Sequence, residues 1–181
     1  MRTRVLTEIA VAVALATVLG LFKIPLPHLI YGGSVSLETL PVLVVACRRG
    51  WRAGALAGAV LGTVDFLLKP VVVHPVQVLL DYPVAFGGLG WAAGLLGHVT
   101  PPSGRLLLVR LRIAAGILAG NGARLAAHFT SGIVFFAAYA PVGQPVWLYS
   151  LLYNASYLVP QAVFHIVLLQ LVIRLTTQHR E

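Results

Sequence analysis

The stretch CRRGWRAGALAGAVLGTVDFLLKP, residues 47–70, decides the fold. Three arginines crowd its start, and Lys69-Pro70 closes it. Between Trp51 and Leu68 the only charges are Arg52, at the edge, and Asp65. A run of that length and polarity suits a helix crossing a hydrocarbon layer, which takes about 20 residues. The rest of the chain repeats the pattern. Of 181 residues, 59% are hydrophobic and 10% are charged, against about 25% charged in an average soluble domain. Mean hydropathy is +0.90. A soluble domain needs a solvated shell of Lys, Arg, Asp and Glu that this chain cannot supply. Most soluble enzymes and DNA-binding modules are excluded, despite a net charge of +8.

Working outward from that stretch, apolar runs and their breaks give six spans. They cover about Val5–Phe22, Leu37–Cys47, Trp51–Leu68, Val76–Leu96, Arg112–Ala138 and Val146–Leu175. The second is short, and its helix is expected to begin earlier, near Ser34. Pro101-Pro102-Ser103-Gly104 reads as a loop. The predicted fold is an all-α integral membrane bundle of six transmembrane helices, a single domain over residues 1–181. Met1–Lys23 reads as a span rather than a cleaved signal, because no polar mature domain follows. Basic residues set the orientation. Arg2, Arg4, Arg48, Arg49, Arg52, Arg105, Arg110, Arg112, Arg174 and Arg180 fall on one side, and Lys23 and Lys69 on the other. Both termini are therefore expected in the cytoplasm. The high charge is a topology signal, not a nucleic-acid patch.

Charged groups inside a span cost about 2.5–3.5 kcal/mol on insertion scales, so they mark function or pairing. Those inside or beside the spans, with the polar residues that accompany them, are Glu8, Glu38, Asp65, Asp81, Arg124, His128, Asn154 and His165. Glu8 is placed to pair with an Arg, and His165 reads as a packed, hydrogen-bonded histidine. Asp81 and Tyr82 lie one to two turns below the outer face. Tyr149 and Asn154 lie within three turns of it, and His128 ~15 Å below it at 1.5 Å per residue. A pocket open to the outside, lined by Asp81, Tyr82, His128, Phe136, Tyr149 and Asn154, explains the set. One carboxylate among aromatic faces and an amide suits a small, flat, cationic heteroaromatic. The competing reading pairs Asp81 with Arg124 and makes the other polar groups interhelical glue. Ala10-x-x-x-Ala14 and Ala12-x-x-x-Ala16 give span one faces that helices can approach closely. Gly58-x-x-x-Gly62 and Gly87-Gly88-Leu89-Gly90 read as helix packing, not phosphate cradles. There is no zinc-ligand spacing, no nucleophile elbow and no ATPase motif. The single Cys47 implies no internal disulfide.

Four segments carry a resemblance across most of the chain. They are LTEIAVAVALA (6–16), ETLPVLVVACRRGWRAGALAGAVLG (38–62), HPVQVLLDYPVAFGGLG (74–90), and HFTSGIVFFAAYAP (128–141) followed by YSLLYNASYLVP (149–160). With these the chain resembles the thiamine-specific substrate-binding (S) components of energy-coupling factor (ECF) vitamin transporters. The resemblance implies an S-component bundle with both ends cytoplasmic, in a prokaryotic cell membrane. It implies thiamine as ligand, no enzymatic activity and no cofactor or metal. It also implies partners, a scaffold membrane subunit and two ATPases. Asp81 and Tyr82 would contact thiamine, His128 and Phe136 would flank its rings, and Tyr149 and Asn154 would bond its aminopyrimidine. Tyr31 in the first outer loop and Glu38 complete the candidate set. Ala10, Ala14 and Ala16 would dock on the scaffold. Some relatives have Glu in place of Asp81 and Trp in place of Phe136. The rival readings are an S component for another vitamin or a thiamine precursor, an intramembrane enzyme using His128 and Asp81 as acid and base, and a ligand-free structural subunit.

Overall fold

The computed structural model describes residues 1–26, 33–99 and 106–178, with side chains up to residue 171 except that of Pro25. Tyr31 and Gly32 of the first outer loop, the loop at residues 101–104, Arg105 and Arg180 lie outside the described residues. The described residues form six helices: α1 (Thr3–Leu19), α2 (Leu40–Arg49), α3 (Trp51–Leu68), α4 (Pro75–Gly97), α5 (Leu106–Phe135) and α6 (Val146–Gln178). By length and composition α3 to α6 can each cross a membrane. Their lipid-ward residues are apolar, among them Leu67, Leu107, Val134 and Val163. A multi-pass membrane protein has this build.

The second span departs from expectation. Its helix starts later, at Leu40, and Ser34–Ser36 forms strand β2, antiparallel to β1 (Lys23–Pro25). The reason is Pro41, which a helix tolerates only in its first turn. At ten residues α2 is ~15 Å long, half a bilayer core. Thr39 accepts a bond from Gln161 of α6 (3.0 Å), and Ser36 O meets Nε2 of the fully buried His165 (3.1 Å). Those residues stand ~22 and ~28 Å along α6, so β2 lies inside the bundle. Extended backbone is tolerated there because it is covered by protein or faces a cavity. The fifth helix starts six residues before Arg112, since arginines end an apolar run without ending a helix.

Packing rests on backbones in near contact. Gly54, Gly58 and Gly62 recur every four residues along α3 and face α4. A Cβ added to Gly58 would run into Phe86 O, and one on Gly54 into Gly90 O. No larger residue fits there without parting the helices. Around this seam Leu43, Leu61, Phe86, Leu89 and Ile117 form the core.

The two ends of the bundle differ. At one end Arg49 Nε bonds Glu8 (2.6 Å), Val99 N bonds Cys47 O (2.9 Å), and Gln170 reaches Arg110 O (2.9 Å). These bonds gather the arginines of α2 and α5 with the start of α1. Lys23 and Lys69 sit at the opposite end, beside a cavity. By the excess of arginine the first end is cytoplasmic.

Candidate functional site

Helix α4 builds the cavity's first wall. At Leu80–Val84 it widens into one π turn, and Ala85 N–H reaches back five residues to Leu80 O. Pro83 explains the widening. It has no N–H to donate, and its ring would strike the carbonyl four residues earlier in a regular helix. Single wide turns of this kind are common at functional sites. Asp81 and Tyr82 occupy this turn.

The Asp81 carboxylate accepts three hydrogen bonds. His128 Nδ1 lies 3.0 Å from Oδ1, while Gln77 Nε2 (2.8 Å) and Ser131 Oγ (2.9 Å) donate to Oδ2. Arg124 Nε donates to His128 Nε2 (3.2 Å). A guanidinium has donors only, so Nε2 accepts and the imidazole proton sits on Nδ1, facing Asp81. The imidazole therefore accepts from Arg124 and donates to Asp81. Asp81 and Arg124 therefore do not pair directly; His128 stands between them. Arg124 is buried, with 8% of its surface exposed, and its charge lies 4.1 Å above the Phe86 ring centroid.

Helix α6 builds the opposite wall with Tyr149, Tyr153, Tyr157 and Gln161, four residues apart and hence on one face. Asn154 lies beside them and is largely spent. Its amide donates to Ser150 O (2.9 Å) and His128 O (3.4 Å), and its Oδ1 accepts from Tyr157 Oη (3.0 Å). One Oδ1 lone pair remains. Tyr82 is spent too: its hydroxyl accepts from Val71 N (2.8 Å) and donates to Lys69 O (2.9 Å), leaving its ring to the cavity. Glu38 and Asp65 bring two more carboxyls toward the mouth, where Lys69 reaches Asp65 and Gly20 O, both at 3.4 Å.

The enclosed space is about 220 Å³ and open at one side, room for a small organic molecule. It brings together Glu38, Asp81, Tyr82, His128, Phe136, Tyr149 and Asn154 of the candidate set; Tyr31 lies outside the described residues. The lining also includes Lys23, Asp65, Lys69, Gln77, Ser131, Tyr153, Tyr157 and Gln161, which were not among the candidates. Lys23, Asp65 and Lys69 are read from their charge alone, whereas Gln77, Ser131, Tyr153, Tyr157 and Gln161 look like ordinary packing within a span. Their signal is spacing: Gln77 precedes Asp81 by four, Ser131 follows His128 by three, and Tyr153 and Tyr157 continue the Tyr149 face. Among the described residues no group of three or more His, Cys, Asp or Glu side chains could hold a metal ion.

The expected docking set on α1 needs correction. Ala10 and Ala14 are exposed, but Ala16 is fully buried in the core, as is most of Ala12. Residues two apart on a helix point about 200° away from each other, so the two alanine frames face opposite ways.

The profile of a family described as thiamine transporter protein matches residues 6–180. The thiamine transporter ThiT of Bacillus subtilis (strain 168) is 36% identical over 170 residues, covering 91% of this chain and 87% of that one. The thiamine transporter ThiT of Lacticaseibacillus paracasei is 31% identical, covering 96% and 89%. A solved structure of ThiT from Listeria monocytogenes superposes with a TM-score of 0.83 over 96% of this chain and 95% of that one, at 24% identity. That last likeness is one of fold.

Proposed function

This chain belongs to the thiamine transporter family, and from that membership we propose that it captures thiamine in the cavity between α4, α5 and α6 as the binding subunit of an importer. Its activity is transport, not catalysis. The observation that carries the site assignment is the Asp81 carboxylate, set among aromatic faces at the lysine-bearing end. A carboxylate accepts about four hydrogen bonds. Asp81 already accepts three, so one lone pair is left for a ligand N–H. The amino group of an aminopyrimidine supplies that donor. The rings of Phe136, Tyr149 and Tyr153 supply electron-rich surfaces for the cationic thiazolium. The lone pair left on Asn154 Oδ1 offers a second acceptor.

The chain carries no ATPase motif, so inward release draws energy from other subunits. The resemblance to ECF S components supports a scaffold membrane protein and two ATPases as those subunits, with the scaffold against the exposed Ala10–Ala14 face of α1. Purified protein, without partners, is expected to bind thiamine saturably, read by quenching of its tryptophan fluorescence, and to ignore riboflavin and biotin. Asp81→Ala and Asn154→Ala are each expected to weaken binding about tenfold or more, the effect of removing one buried hydrogen-bonding group. Saturable binding of another vitamin in place of thiamine would overturn the assignment.

A further inference from the structure

Between α3 and α4 the chain passes through Lys69–Val73, a connection without helix or strand. Its main chain is held by side chains of α4. Tyr82 takes Val71 N and Lys69 O, as described above. Gln77 takes two more of its groups: its Nε2 donates to Val71 O (3.2 Å) and its Oε1 accepts from Val73 N (3.0 Å). The second Nε2 hydrogen goes to Asp81 Oδ2 (2.8 Å). Gln77 is 1% exposed, so water replaces none of these bonds. Every donor of this amide is used, on two targets: the outer connection and the cavity's carboxylate.

We infer that Gln77 is a positioning residue for thiamine capture, a single amide that sets the direction of the Asp81 carboxylate and ties the outer connection Lys69–Val73 to it. The inference rests on the thiamine-capture reading and goes beyond it. Lys69 and Val71 line the cavity mouth. A ligand that engages Asp81 holds the carboxylate still, the carboxylate holds the Gln77 amide, and the amide holds the rim. Glutamine suits the task because it alone, at that length, offers two donors and an acceptor. Asparagine is one methylene shorter, and glutamate has no donor when ionised.

The test uses the full chain in detergent. Gln77→Met keeps the size and removes all three bonds. It is expected to weaken thiamine binding about tenfold. Combined with Asp81→Ala, the same change should cost less than about twofold, because its effect passes through the carboxylate. Additive losses would assign Gln77 a merely structural role and overturn the inference. Gln77→Glu keeps the Val73 tie but presents a charge to Asp81, and is also expected to weaken binding; wild-type affinity there would overturn the carboxylate link. Hydrogen exchange on the wild-type protein is the second measurement, independent of any variant's folding. Thiamine is expected to slow exchange at the Val71 and Val73 amides about fivefold or more. Unchanged exchange there overturns the tie between ligand and rim. A wild-type chain that binds no thiamine defeats the capture reading, whereas normal binding by Gln77→Met defeats this inference alone.

Discussion

Asp81, His128 and Arg124 form a line in which each group fixes the next. Arg124 donates to Nε2, so the imidazole donates from Nδ1 to the carboxylate, which accepts two further bonds from Gln77 and Ser131. Tyr82 works differently. Its hydroxyl serves two main-chain groups of the outer connection and has no donor left for a ligand. Tyr82→Phe is therefore expected to reduce stability by about 1–2 kcal/mol, the cost of leaving Val71 N and Lys69 O poorly paired, while preserving saturable thiamine binding. Thermal unfolding in detergent with and without thiamine checks it, and an unchanged melting temperature would refute it. The sequence made Asp81 and His128 readable because a titratable group in an apolar helix is costly. It hid the division of labour, in which Tyr82, adjacent in the chain, spends its hydroxyl on the backbone. Gln77 and Ser131 were hidden for a related reason: an amide or hydroxyl in a span looks like ordinary helix packing until its partner is known.

At the scale of elements, one π turn and one glycine seam place the site. The turn at Leu80–Val84 sets Asp81 and Tyr82 in the cavity wall, and the seam brings α4 against α3 below it. Small residues at four-residue intervals were readable in Gly58 and Gly62. Which glycines of Gly87-Gly88-Leu89-Gly90 matter was not, because that depends on how α4 is rotated. Gly90 abuts Gly54, whereas a Cβ on Gly88 would meet only Ala123 Cβ at 3.7 Å, an ordinary van der Waals separation. Gly88→Ala is thus expected to be neutral or slightly stabilising, since alanine favours the helix by about 1 kcal/mol. Gly58→Ala should destabilise by about 1–3 kcal/mol, the usual cost of overpacking, because two backbones must part. Melting temperatures of the two variants decide it; equal values would mean the seam is looser than described. The start of α2 shows the same limit. Apolar content marked residues 37–47 as a span, but Pro41 and the bonds from Gln161 and His165 decide where helix gives way to strand. Those bonds join residues more than 120 positions apart, and no local pattern announces them.

For the whole molecule, the cavity and the exposed face of α1 are separate surfaces. The cavity opens at the lysine end, between α4, α5 and α6. Helix α1 takes little part in it and turns Leu6, Ala10, Val11, Ala14, Leu15 and Val18 outward. Within that strip Ala10 and Ala14 are small, and a second membrane helix can come close there. If the importer's scaffold docks on this strip, capture and transport are separable by mutation. Ala14→Trp adds bulk on an exposed face and leaves the cavity lining untouched. Thiamine affinity of the purified variant is expected to stay within about twofold of wild type, while thiamine uptake by cells carrying it as their sole importer is lost. Ala16→Trp makes the contrast. That position is fully buried, so the ring has no space and the fold itself should fail, taking binding and uptake together. Wild-type uptake by Ala14→Trp would move the docking surface off α1. Loss of binding in the same variant would mean that α1 supports the cavity more directly than its packing indicates.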